Sequence, residues 1–440
     1  MIVSLLSQIA RVVALTVVPV VPPEQTPDQT LQLLQHPSYI TEYLGTPADA
    51  WVNGSSGVVK APLELYNASG GNYSRLRRRN YEGGSAIGFD TFIEPLANQL
   101  TFYTVNVTLG SPRQQVSVLV DTGSSDLWVP DCGQGSMNSN GFDLLQSRSW
   151  MFGHQDEEFS IKYVKGYAKG LWGRDDLRFL AGPAIRHQRF AVATESSEIS
   201  MGVLGIGPVN AESTQQLYDN VPMSLVRQGH IAKNIYSIYL DDWDSANGCI
   251  LFGGIDLAKF HPPLHTVPLT STISLRVVLS SIQADGRSAL DEPIAAALDT
   301  GTTLMYLPPD CVNRIANLLG ARYDPDLDLH RLPRSHFSEV PKYLTFSFMG
   351  ATIKVPSREL FWPTSWFVES DEPDLSLTIM SNKKSLGYNI LGDTFLRSAY
   401  VVYDLDYRQV SLAQARNSHG HEEILAISES VPGTRASSGD

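Results

Sequence analysis

A mostly β chain built as two matched lobes is the architecture this sequence predicts, and three observations carry it. From residue 95 to about residue 413 the chain runs in short stretches of alternating polarity, broken by Gly, Pro and Asn/Asp turns. Helix signals are few: Met223–Gln228 closed by Gly229, and Pro309–Leu319 closed by Gly320. Finally, one segment recurs. Val118-Leu119-Val120-Asp121-Thr122-Gly123-Ser124-Ser125 returns as Ala296-Ala297-Leu298-Asp299-Thr300-Gly301-Thr302-Thr303. Each copy is followed by an aromatic residue and a proline, Trp128 and Pro130 or Tyr306 and Pro308. Each also has a later apolar-apolar-Gly element, Val203-Leu204-Gly205 or Ile390-Leu391-Gly392. Two lobes on one plan would bring the two Asp-Thr-Gly turns face to face.

The elements follow in order. Residues 1–20 are apolar with Arg11 as the one charge, and they read as a signal segment without a clear basic start. Residues 21–79 are rich in Pro, Gln, Ser, Gly and Asn and show little strand alternation, so they read as a pro-segment. This stretch ends in Arg75-Leu76-Arg77-Arg78-Arg79, either a solvated loop or the site where a dibasic-specific protease releases the leader. Sequons at Asn53, Asn67, Asn72 and Asn106 fit secretion and mark candidate glycosylation sites, each weak alone. Residues 80–265 form the expected first lobe. There Thr101–Thr108 alternates in period two, and Val116, Val118 and Val120 share one face before Asp121. Residues 266–415 form the second lobe around Asp299, and 416–440 a polar tail.

Composition narrows the function. Of 440 residues, 42% are hydrophobic and 18% charged, enough apolar matter for large cores. A net charge of −13 gives no basic field to recruit nucleic acid. No later stretch has the length and hydropathy of a membrane-spanning helix. Cys132, Cys249 and Cys311 allow at most one bridge, and buried or half-buried thiols are the plainer reading. His261 and His265 have a metal-like spacing, but Pro262 and Pro263 forbid the helix that would align them, so surface-loop histidines are expected. No metal or other cofactor is expected, and no phosphate loop or nucleophilic Ser or Cys signature is present.

A lone Asp-Thr-Gly is an ordinary turn whose Asp caps its own backbone. Two matched copies point to chemistry. Two carboxylates held close cannot comfortably both ionise, so the pair shares a proton. The charged member can polarise a water while the neutral one donates to a carbonyl oxygen, which is the proton traffic amide hydrolysis needs. Which Asp holds the proton belongs to the pair. Gly123 and Gly301 allow tight turns with their N–H groups near a carboxylate. Ser124 and Thr302 offer hydroxyls to the outer carboxylate oxygens, and Thr122 and Thr300 can bond across the lobe junction.

Over roughly residues 95–415 the chain resembles the pepsin-like aspartic proteases, most of all secreted fungal ones. Besides the two Asp-Thr-Gly segments, Leu127-Trp128-Val129-Pro130, Ser160-Ile161-Lys162-Tyr163, Leu251-Phe252-Gly253-Gly254-Ile255-Asp256 and Ile390-Leu391-Gly392-Asp393-Thr394-Phe395-Leu396-Arg397 carry the likeness. The resemblance implies a bilobal β fold with pseudo-two-fold related lobes and a central cleft for several peptide residues. It implies a secreted endopeptidase made as a zymogen, most active in acid and open to pepstatin-type inhibitors. A monomer acting on polypeptides is expected, with cell-wall or vacuolar retention as alternative destinations. Tyr163 would close over the substrate with its hydroxyl bonded to Trp128, and Lys165, Gly166 and Thr303 would also line the substrate site. The chain departs from the pattern at Val164-Lys165-Gly166, a bulkier flap tip expected to disfavour basic residues just before the cut, and in lacking the usual disulfide cysteines between His330 and Gly387. Lys60 is a candidate cation for plugging the carboxylate pair, or a surface lysine. A non-catalytic relative that binds proteins or polysaccharides in the same cleft is the rival reading. Loss of either Asp would favour it, and both are present.

Overall fold

The strand leading to the first Asp-Thr-Gly turn, Gln114–Asp121, lies within a 16-stranded sheet that draws on both halves of the chain. The computed structural model describes residues 58–67 and 71–72 and, with short interruptions, residues 101–436. Val116, Val118 and Val120 are buried, as their alternation requires. Each such side chain removed from water stabilises the fold by about 1.5–3 kcal/mol.

The internal repeat is a repeat of topology. In the first half, Gly202–Gly205 pairs parallel with Gln114–Asp121 and antiparallel with Leu127–Pro130. In the second half, Ile390–Leu391 pairs parallel with Ile294–Leu298 and antiparallel with Met305–Leu307. Both apolar-apolar-Gly elements therefore pack beside their Asp-bearing strands. Their glycines permit it. A Cβ on Gly205 would lie 2.5 Å from the Asp126 amide nitrogen, and one on Gly392 would lie 2.1 Å from the Thr302 carbonyl oxygen. The two halves are joined where Ala399–Asp404 pairs with Ile235–Leu240, which places the chain's late strands in the sheet of the first half. This is the bilobal, mostly β architecture that the repeat in the sequence predicts.

Both expected helices form, the first beginning earlier than Met223. It spans Val221–Arg227, because the Asn220 side chain accepts from the Met223 amide and Pro222 suits a first turn. The second spans Pro309–Leu318.

Two segments differ from expectation. Residues 21–79 were expected to hold little strand, yet Val59–Asn67 is a strand between Asn247–Phe252 and Thr101–Leu109. Val59, Ala61 and Leu63 are buried in the main core, alternating with Lys60 and the exposed Pro62, a period-two signal hidden in a Pro-rich leader. The C-terminal stretch is more than a polar tail. Ile424–Ala426 pairs with Gly254–Asp256 and Thr434–Ala436 pairs with Leu264–Pro268, while Ile427 and Val431 are buried. Two sheet edges and two apolar side chains suffice to dock a polar segment. His265, expected in a loop, lies in the strand Leu264–Pro268; His261 is exposed. Cys132, Cys249 and Cys311 are all free thiols, the last two buried. Residues 1–57, including Asn53, and the basic run 75–79 lie outside the described residues, as does Lys165. Asn67, Asn72 and Asn106 all fall on strands.

Candidate active site

Each Asp is held at the end of its strand by the same donors. The Gly123 amide donates to Asp121 Oδ1 at 2.8 Å, and the Ser124 hydroxyl donates to Oδ2. In the second half the Gly301 amide donates to Asp299 Oδ1 at 2.9 Å, and the Thr302 hydroxyl donates to Oδ2 at 2.6 Å. The threonines between them lock the halves together. Thr122 Oγ1 donates to the Leu298 carbonyl at 2.8 Å and accepts from the Thr300 amide at 3.0 Å. Thr300 Oγ1 donates to the Val120 carbonyl at 2.8 Å and accepts from the Thr122 amide at 3.1 Å. Four bonds between two buried side chains and the facing backbone fix the separation of the two turns.

That junction sets the two buried carboxyl groups close enough that the charge of Asp299 raises the proton affinity of Asp121. Both are buried, so both protonation equilibria move toward the neutral acid. For Asp121, burial is the main cause and the charge of Asp299 adds to it, against the opposing donors Ser124 and Gly123. For Asp299, burial is again the main cause, opposed by Thr302 and Gly301. One proton shared between two such groups leaves one acid and one base at the same point. Asp299 also borders a small cavity with Gly123, Leu275, Arg276 and Tyr388.

Above the first turn, Glu158–Lys162 and the start of Tyr167–Phe179 make a hairpin. It closes through the Tyr163 amide, which donates to the Gly166 carbonyl at 3.1 Å, with Gly166 at φ +80° where glycine is favoured. Tyr163 is buried, and Trp128 Nε1 donates to its hydroxyl at 2.6 Å. Thr303 is buried one residue beyond Thr302. Lys60 is not near the pair; it forms an ion pair with Glu422 of the C-terminal stretch.

The matched donor sets and the flap are accompanied by a match of about three quarters of the chain to known proteins. Residues 102–415 match the family description "Eukaryotic aspartyl protease". The chain belongs to that family. It is 38% identical over 333 residues to secreted aspartic protease 1 of Candida albicans, covering 73% of this chain and 83% of that protein. It is 37% identical over 334 residues to candidapepsin of Candida tropicalis, covering 73% and 81%. Among solved structures it resembles the aspartic proteinase of Irpex lacteus, with a TM-score of 0.63 and 25% identity over 72% of this chain and 96% of that one. The chain is an aspartic-type endopeptidase.

Some of the site is not legible in motifs. Asp126 accepts from the Ser213 amide at 2.7 Å and the Tyr218 hydroxyl at 2.8 Å. Arg189 lies over both Trp172 and Tyr218, 4.6 and 5.0 Å from their ring centres, and pairs with Glu157. Neighbouring Glu212 is pushed up to about 9, chiefly by burial. This network ties the base of the flap hairpin, through Trp172, to the Asp121 turn. Its members come from four separate stretches of sequence, and only Asp126 sits in a motif.

Proposed function

We propose that the chain is made as a secreted zymogen whose Asp121 and Asp299 carboxylates activate a water for attack on a peptide bond, most effectively in acid. The observation that carries the reading is the pair of buried carboxyl groups, each gripped by a matching amide and hydroxyl, across a junction locked by Thr122 and Thr300. The ionised member takes a proton from water, and the neutral member donates toward the carbonyl oxygen as the tetrahedral centre forms. Thr122 and Thr300 hold the spacing, and Tyr163, anchored to Trp128, covers the bound peptide. Gly166 and Thr303 complete the substrate wall. The secreted relatives, the sequons and the apolar start support export. Residues 1–20 then act as signal, 21–79 as pro-segment, and 80–265 and 266–415 as lobes, with the strands Ile424–Ala426 and Thr434–Ala436 docked on them. The test is proteolysis of a denatured protein at several pH values from about 3 to 7, the span over which a pair raised by burial loses its first proton. Cleavage that pepstatin blocks and Asp121→Asn abolishes supports the mechanism; cleavage that survives Asp121→Asn excludes it.

A further inference from the structure

On the second-half side of the catalytic pair, Arg276 opens the strand Arg276–Leu279, directly opposite Ala297 and so two residues from Asp299. Burial alternates along this strand. Val277 and Leu279 face the core, while Arg276 stands on the other face, half-buried. It borders the same cavity as Asp299 and Gly123. Its guanidinium lies 4.9 Å from the centre of the Tyr388 ring, which forms a platform beneath it. Among the described residues no carboxylate pairs with it, and burial holds its basicity below the ordinary range. The Tyr388 side chain partners Arg276, whereas a second polar group at this cavity is unmatched. Ser274 Oγ is closed off from solvent and has no hydrogen-bond partner among the described residues.

A partly desolvated guanidinium without a counter-ion, beside a hydroxyl without a partner, is costly unless something from outside completes the set. A peptide bound over Asp299 would lie beside this cavity. We propose that Arg276 forms a subsite for an acidic side chain of the peptide next to the bond being cut, so that the enzyme favours Glu or Asp there over neutral residues. The proposal rests on the hydrolytic reading above. The guanidinium meets the carboxylate in a charge-assisted pair, and Tyr388 holds the fork in place.

The experiment uses the mature secreted enzyme and peptides that differ at one position on either side of the cut, carrying Glu, Gln or Leu. At about pH 5, above the ordinary Glu range, the Glu peptide should exceed its Gln twin in kcat/KM by roughly 10- to 100-fold at one position. At about pH 3 the advantage should shrink toward unity as the peptide carboxylate takes up its proton. Arg276→Leu should remove the preference, and Arg276→Lys should restore part of it. Equal Glu and Gln rates at every position, or a preference that survives Arg276→Leu, overturns the subsite while leaving the hydrolase intact. The wild-type ratio and its pH dependence decide the matter even if a variant fails to fold. No cleavage of any peptide by the wild-type enzyme would instead refute the hydrolytic reading beneath it.

Discussion

Replacing Thr300 by valine keeps the shape of the side chain and removes its hydroxyl, which tests whether the threonine pair sets the geometry of the active site. Two bonds disappear: the one donated to the Val120 carbonyl at 2.8 Å and the one accepted from the Thr122 amide at 3.1 Å. Both partners are backbone groups in a buried junction. At about 1 kcal/mol for each bond, and more where a buried amide is left unmatched, the loss is about 2–4 kcal/mol. Thr122→Val offers an internal comparison. It also removes two bonds, but the Leu298 carbonyl keeps the Tyr403 hydroxyl as a donor at 3.3 Å. Its cost should be smaller by about 1 kcal/mol. Thermal unfolding of the two variants should therefore rank wild type above Thr122→Val above Thr300→Val. Peptide hydrolysis should show a fall in kcat that exceeds any rise in KM, because the carboxylate spacing matters most in the transition state. If Thr300→Val melts and turns over like wild type, or if Thr122→Val proves the more damaging, the account of the junction is wrong.

Stability should depend on pH in the opposite sense to that of an ion-paired protein. Asp121, Asp299 and Glu212 all hold their protons more tightly when folded than when unfolded, so the folded chain binds more protons. Their contribution is fully present below the ordinary carboxylate range and is lost as pH rises through their folded values, which for Glu212 is about 9. Melting points measured from acid to alkaline pH should fall, and Glu212→Gln should flatten the upper part of that curve; an unchanged curve would show that Glu212 ionises freely. Trp128→Phe removes the donor to the Tyr163 hydroxyl, and kcat/KM should drop about tenfold, the worth of one buried bond. Tyr163→Phe should produce a similar loss, and the double variant should cost little more than either single one; additive losses would mean the two residues act apart.

The strongest features were legible because they are local and repeated. Asp-Thr-Gly at the end of a hydrophobic strand is a local pattern, and its recurrence with a matching downstream Gly element implied both the two lobes and the pair of carboxylates. Trp128 and Tyr163 could be named from their motifs, and the structure brings them to 2.6 Å. The strand Val59–Asn67 was harder to see, because a five-residue alternation is outvoted by the Pro- and Gly-rich composition around it. What makes it a strand is the open position between Thr101–Leu109 and Asn247–Phe252, two segments far apart in the chain. The C-terminal strands follow the same logic, since neither is apolar enough to announce itself.

The sequence by itself determined which side chains can do acid–base chemistry and that two copies of the unit exist, because strand alternation and turn residues act over a few positions. Only the tertiary structure decided the surroundings of those groups. The partners of Asp126, the crossed threonine bonds, the tail's grip on Lys60 and the uncompensated Arg276 beside Asp299 all join residues that are distant in the chain. Burial and proximity of that kind set proton affinity and substrate preference, and they come into being only when separate strands are packed against one another.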